Sequence, residues 1–249
     1  MNTSYQTPSQ AENFNNFLES ADGKFQKELV FNQVTASLKD TSSKAKILDL
    51  GCGSGWLTNQ LTLKGHQAIG CDAGKAQIEL ANKLYPENKF LVADLQKALP
   101  FPENEFDVII TSLVLCDIEN QAAALNEIFR ILKPNGKFVN IIPNPYYTMP
   151  VTAWKKGFWG RLFKQKPRPT LSPYFSFLDS PREFKWRGNI TRRFHTLSEQ
   201  INHILIAGFI LTRFKEPRSE TDTNKFSRQY QVYRFPLYLV IEAKKPSPV

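Results

Sequence analysis

The hydrophobic positions between Ala45 and Ile142 change period in a regular way. Ile47-Leu48-Asp49-Leu50 is a short apolar run that predicts a strand, and the glycines from Gly51 to Gly55 predict a tight turn out of it. Trp56 to Leu63 suits a helix, Gln67 to Cys71 a second strand, Lys75 to Tyr85 a helix, and Lys89 to Ala93 a third strand. Asp107 to Leu115 opens as a buried strand rich in β-branched and aliphatic side chains. Leu125, Ile128, Phe129 and Leu132 then recur at helical spacing until Pro134-Asn135-Gly136 stops the helix, ahead of a fifth strand from Lys137 to Ile142. Strands and helices alternating in this rhythm predict a parallel sheet with helices on both faces.

The flanks follow other patterns. Residues 1–43 read as a polar lead-in and one or two helices, with Phe14, Phe17 and Leu18, then Leu29, Val30, Val34 and Leu38, at helical spacing. Position alone makes this region a helical cap on a domain spanning 44–249. Residues 143–195 break the rhythm, with proline, aromatic and basic residues and no clean period. Val151, Trp154, Phe158 and Leu162 fall on one side of a possible helix there, against which Lys155, Gly157 and Gly160 count. Thr196, Leu197, Ser198 and Glu199 form a capping box, so a helix starts there and runs to about Ala207, with Gly208 as its stop. Phe209 to Phe214 and Leu237 to Ala243 are the last strands, and the charged stretch 215–232 between them reads as a long loop. No internal repeat is visible.

Composition narrows the class. At 249 residues, 41% hydrophobic and 22% charged, the chain is globular rather than collagen-like, coiled-coil or disordered. It has no run of about eighteen apolar residues for a membrane span, and its polar first residues lack the order of a secretory signal. Cys52, Cys71 and Cys116 are too few and too scattered for a disulfide framework, which points to the reducing cytoplasm. No His/carboxylate cluster has metal-ligand spacing, so no metal is assigned. Between Val151 and Arg193 stand eleven basic residues against Asp179 and Glu183, which accounts for the whole net charge of +9. Basic residues interleaved with Trp and Phe suit peripheral contact with an anionic membrane or a lipidic acceptor, or single-stranded RNA; a lid whose charges simply face water is the third reading.

The chemistry concentrates at the glycine turn. Gly51, Cys52, Gly53 and Gly55 offer bare backbone between a strand and a helix, and Asp72 closes the next strand, where a carboxylate accepts hydrogen bonds from a ribose. A dinucleotide fingerprint would place its third glycine at position 56, which is Trp56. Asp49, two residues before the first glycine, would repel a pyrophosphate and attract a cation. The ligand implied carries a ribose and a positive charge but no diphosphate, and S-adenosylmethionine fits. Asp94, at the end of the third strand, suits the adenine amine.

These features, together with Leu99-Pro100-Phe101, Phe106-Asp107-Val108 and the run from Glu127 to Gly136, resemble a class I S-adenosylmethionine-dependent methyltransferase, most closely the small-molecule branch that includes ubiquinone and menaquinone methylases. The resemblance covers roughly residues 45–142. It implies a Rossmann-like, seven-stranded, mostly parallel α/β sheet whose last strand is antiparallel, with 143–195 as an acceptor-site lid. It further implies that Asp49 and the glycines hold the methionine end, that Asp72 takes the ribose hydroxyls, that Asp94 and Leu95 flank adenine, and that Thr111 and Ser112 line the methyl-transfer side. Relatives often carry His near position 116, where this chain has Cys116. His195, just before the capped helix, is the nominated general base, with a packing histidine bonded to backbone as the competing reading. Asp107, at a strand start, orders the local turn. The acceptor implied is a small apolar or amphipathic molecule; RNA methylation and a non-catalytic cofactor-binding regulator are the alternatives.

Overall fold

The computed structural model describes residues 7–147, 152–155, 168–172, 174–177, 183–186, 190–220 and 227–248. Helices α1 (Pro8–Glu19) and α2 (Ala21–Ser37) precede β1 (Lys46–Leu50), α3 (Trp56–Leu63), β2 (Gln67–Asp72), α4 (Lys75–Leu84), β3 (Lys89–Val92) and β4 (Phe106–Ser112). A single 3-10 turn, Leu115–Asp117, leads to α5 (Gln121–Ile131) and β5 (Leu132–Pro143). Then come the short strands β6 (Thr152–Lys155), β7 (Arg168–Leu171), β8 (Glu183–Trp186) and β9 (Ile190–Arg193), followed by α6 (Leu197–Ile206), β10 (Ile210–Lys215), α7 (Arg228–Arg234) and β11 (Tyr238–Lys244).

The seven-stranded sheet runs β10-β11-β5-β4-β1-β2-β3. Strands β1 to β5 pair in parallel, and β11 is antiparallel to both β5 and β10. Alternation along the central strands feeds two apolar layers. Leu48, Ile109, Phe138 and Ile142 pack with Leu125 and Ile128 of α5 and Ile204 of α6. Ile47, Val108, Ile110, Val139 and Ile141 pack with α2 and α3 through Val30, Val34, Leu57 and Leu61. Period-2 strands between two helical layers therefore place the glycine turn at the C-terminal edge of β1, the usual ligand crevice of a parallel sheet. Helix α2 belongs to this core, while α1 buries only Ala11 and lies toward the glycine turn.

Two expectations are corrected. Thr152–Lys155 is a strand, paired antiparallel with Arg168–Leu171, and not the first turn of a helix; β-branched Thr152 and the glycines at 157 and 160 disfavour the helix in sequence. The rest of that stretch, including Phe158, Arg161, Leu162 and Lys164, lies outside the described residues. The stretch 215–232 is not a loop throughout, because α7 starts at Arg228 behind a Ser227 cap whose side chain accepts from the Tyr230 amide. Among the described side chains of this helix Val232 alone is fully buried, clustered with Leu29, Leu237 and Tyr238, so the segment shows no hydrophobic period to read. Two smaller differences concern ends: β4 stops at Ser112, where Leu113 takes φ +60°, and Leu132 begins β5 rather than closing α5.

Candidate cofactor and acceptor site

Asp49 sits inside β1 beside Gly70 and Ile110, 2% exposed. Its Oδ2 accepts a 2.7 Å hydrogen bond from the Thr58 hydroxyl of α3. Burial pushes its carboxyl up to about 7, the Thr58 bond offsets part of this, and the nearby Asp72 charge adds to it. No basic side chain among the described residues bonds to this carboxyl, and a cationic ligand would supply a counter-charge.

The turn that follows is held by its own amides. The N–H groups of Gly51 and Cys52 both donate to the Cys71 carbonyl, at 2.7 and 2.9 Å, and that of Gly55 donates to the Cys52 carbonyl. The Gly53 amide donates to Asp72 Oδ2 at 3.0 Å, and Gly74 N–H donates to Oδ1 at 2.8 Å. Four amides of the turn are thus engaged within the protein. Burial raises the Asp72 carboxyl, and those two amides offset part of the rise. Each Asp72 oxygen keeps a second lone pair for a ribose hydroxyl.

The three glycines differ in purpose. A Cβ on Gly51 would meet Val114 Cγ2 at 2.1 Å, and one on Gly55 would meet Phe90 at 2.5 Å. At Gly53, φ +54°, the nearest atoms are Phe14 Cε1 at 3.7 Å and Gln77 Oε1 at 3.9 Å, so this is the open glycine. Helix α1 borders it, with Phe14 in place and Ser54 Oγ donating to Asn15 Oδ1. Phe14, Asn15, Thr58, Gln77 and Val114 are site residues that motif spacing does not reveal, since each arrives from a neighbouring helix or loop; only the aromatic pair Phe14 and Phe17 gave a signal.

On the far side of the crevice, Asp94 is half-buried. Its Oδ1 accepts from the Gln96 amide at 3.0 Å, and Lys97 Nζ lies 3.8 Å from Oδ2. Gln96 Oε1 in turn accepts from the Glu119 and Asn120 amides, tying the loop after β3 to the loop after β4. Leu95 is buried in the apolar layer. Thr111 is fully buried, its hydroxyl donating to Asn140 Oδ1 of β5 at 3.0 Å, whereas Ser112 is half-buried at the strand end. Asp107 lies at the opposite end of β4; it accepts from the Lys46 amide and Lys133 Nζ, which hold its carboxyl below the usual range despite burial. Burial pushes the Cys71 thiol up to about 12 and the Cys52 thiol well above its ordinary value, so neither ionises near neutral pH. Among the described residues, no group of three or more His, Cys, Asp or Glu could hold a metal ion.

The loop after β4 is gripped from α6. His195 is buried, with Nε2 3.0 Å from the Ile118 carbonyl. A carbonyl only accepts, so Nε2 carries the proton and Nδ1 is the basic nitrogen of the neutral ring. Gln121 Nε2 donates to the Leu115 carbonyl, and His203 Nδ1 lies 3.1 Å from Gln121 Oε1. Leu113, Tyr147, Phe25 and Phe235 are partly buried and pack against the buried cluster of Leu29, Val232, Leu237 and Tyr238. Tyr146 stacks on Tyr174 at 4.3 Å between centroids, and Phe194 meets Tyr174 edge-on.

A buried carboxyl beside bare, self-satisfied backbone, at the edge of a sheet of this order, defines a class that comparison with known proteins makes explicit. The methyltransferase-domain family matches residues 48–140. A demethylmenaquinone methyltransferase of Lactococcus lactis is 30% identical over 195 residues, covering 74% of this chain and 73% of that protein. One from Listeria welshimeri is 24% identical over 201 residues, covering 76% and 80%. Among solved structures, an S-adenosylmethionine-dependent methyltransferase from Mesorhizobium loti superposes with a TM-score of 0.67 at 22% identity, covering 91% of this chain and 99% of that one. A TehB-like methyltransferase from Corynebacterium glutamicum gives 0.59 at 19%, covering 96% and 100%. The chain belongs to the S-adenosylmethionine-dependent methyltransferases, in the menaquinone-methylase-like branch, and S-adenosylmethionine is its cofactor.

Proposed function

We propose that this enzyme methylates a small apolar or amphipathic acceptor with a planar ring, of the quinol kind that the names of its demethylmenaquinone methyltransferase relatives suggest. The observation that carries this reading is the partly buried set Leu113, Tyr147, Phe25 and Phe235, packed against Leu29, Val232, Leu237 and Tyr238, with Leu113 adjacent to the Val114 that covers Gly51. A surface of this kind desolvates a ring and offers little to a polyanion.

When bound, S-adenosylmethionine supplies a methyl group already activated by its sulfonium. Asp49 supplies the negative charge for the cationic end, Asp72 receives the ribose, and Asp94 with Leu95 borders the adenine. The chain's remaining task is to align the acceptor in line with the carbon–sulfur bond and to exclude water. A hydroxyl acceptor would give up its proton to a base of the chain as it takes the methyl group. His195 takes that proton when the acceptor is a hydroxyl. Thr111, bonded to Asn140, supports the strand end from inside, and Ser112, half-buried at that end, would face the acceptor. Methylation at the membrane surface, through the basic stretch 151–193, remains part of the reading because a lipidic ring would be presented there.

Incubating the protein with methyl-labelled cofactor and a host extract, then identifying the labelled product, tests the proposal. Label in a lipid-extractable ring compound supports it, and label confined to RNA overturns it. For a hydroxyl acceptor, His195→Ala should lower kcat by about 10²-fold with cofactor affinity unchanged; an unchanged kcat makes His195 a packing residue.

A further inference from the structure

Leu171, the last residue of β7, is 60% exposed, and Phe175, in the 3-10 turn Tyr174–Phe177, is 68% exposed. Phe175 meets Tyr174 edge-on at 5.2 Å between centroids. Tyr174 in turn stacks on Tyr146 at 4.3 Å and meets Phe194 at 5.4 Å. The Tyr174 hydroxyl accepts from the Leu197 amide at 2.8 Å, just beyond His195. Tyr146 follows the end of β5 and is itself 44% exposed. An aromatic surface thus runs from the exposed Phe175 to the end of β5 and the start of α6. The sequence around it is strongly cationic. Between Val151 and Leu178 it carries Lys155, Lys156, Arg161, Lys164, Lys166 and Arg168 and no acid. Large apolar side chains standing in water within such a run fit the boundary of an anionic bilayer, where they enter between the lipids while cations attract the phosphates. Single-stranded RNA also attracts cations, but it stacks its bases on flat side chains, and the aliphatic Leu171 offers no ring. Ile206 and Ile210 are exposed as well, yet they stand in a stretch from Gln200 to Thr212 that has no lysine or arginine.

We propose that Leu171 and Phe175 insert into the interface of an anionic bilayer, and that a ring-shaped acceptor passes from that bilayer to the site along Phe175, Tyr174 and Tyr146. Insertion does not depend on what is methylated, whereas the route rests on the planar acceptor proposed above.

Co-sedimentation of the full chain with phosphatidylcholine vesicles, with and without phosphatidylglycerol, tests the insertion at physiological salt. Wild type should bind the vesicles that contain phosphatidylglycerol, and the double variant Leu171→Ser, Phe175→Ser should bind them about tenfold more weakly. Phe175→Trp, which restores an interfacial side chain, should bind as wild type does. The double variant should keep its thermal midpoint and its affinity for S-adenosylhomocysteine, because neither side chain is buried. Equal vesicle binding by the double variant would overturn the insertion, and its earlier unfolding would mark a packing role and overturn it too. So would a wild type that ignores the vesicles, whether or not it shifts single-stranded RNA in a gel. Methyl transfer to free 1,4-naphthoquinol and to a naphthoquinol with a hydrocarbon tail embedded in the same vesicles then tests the route. The double variant should match wild type on the free quinol and fall about tenfold behind on the embedded one; equal rates on the embedded quinol would overturn the route. Wild type that methylates neither quinol, while its vesicle binding depends on Leu171 and Phe175, would overturn the acceptor reading and the route and support the insertion.

Discussion

Asp49 keeps its proton to about pH 7 in the ligand-free fold, because burial outweighs the Thr58 hydrogen bond. In the unfolded chain the same carboxyl ionises near its ordinary value of 3.8. Between those two values the folded state holds a proton that the unfolded state has released, so this group's contribution to stability falls as pH rises through the window. Binding of a cation works in the opposite sense, since it needs the charged carboxylate. Affinity for S-adenosylmethionine should therefore drop by up to about tenfold per pH unit below 7 and level off above it. Asp49→Asn should bind weakly with no such slope; a flat wild-type profile would contradict the assignment. The glycines separate in the same way. Gly51→Ala collides with Val114 and should unfold the protein at lower denaturant, whereas Gly53→Ala, which meets only ordinary van der Waals contacts, should cost only about 1–2 kcal/mol of backbone strain and mainly weaken cofactor binding. Equal effects on folding in the two variants would contradict this division. Spacing made Asp49, Asp72 and the glycines legible, because turn chemistry is local. It could not distinguish Gly53 from Gly51, since their difference lies in side chains that reach the turn from Val114, Phe14 and Gln77.

Elements with their own signals were found nearly to the residue. Helix α6 carries the reciprocal Thr196–Glu199 bonds that define a capping box, and Gly208 closes it at φ +95°. Thr196→Ala should cost about 1 kcal/mol of stability, read as a lower denaturant midpoint with unchanged slope. Because the same helix carries His203 and follows His195, the loop at Leu115 to Ile118 should loosen with it, which amide exchange would detect; full protection in the variant would mean that the loop is held elsewhere. Helix α7 escaped prediction for the converse reason, as one buried valine among arginines, glutamines and tyrosines makes no period. Strand β6 was misread because an apolar stretch of a few residues fits helix and strand alike, and its partner Arg168–Leu171 is remote in sequence.

At the scale of the molecule, alternating strands and helices foretold the sheet and its two apolar layers, and the family resemblance supplied the antiparallel last strand. Sequence alone could not show that α2 belongs to the core while α1 reaches across to the cofactor turn. The charge is equally uneven: the excess of +9 resides in 151–193, whereas the cofactor turn is lined by acids and bare backbone. No helix among the described residues is long and apolar enough to cross a membrane. Anionic vesicles therefore test that segment directly: wild type should sediment with them at low salt, and a variant with Lys155, Lys156, Arg161 and Lys164 reversed to acids should not. Wild type that stays in solution would retire the membrane contact. The account as a whole depends on a nucleoside cation filling a crevice of acids and self-satisfied amides. Parallel calorimetric titrations with S-adenosylmethionine and with a nicotinamide dinucleotide measure this most directly. The account predicts saturable uptake of the first, weakened by a few kcal/mol in Asp72→Ala, and no heat from the second; uptake of the dinucleotide with no response to the sulfonium compound would contradict it.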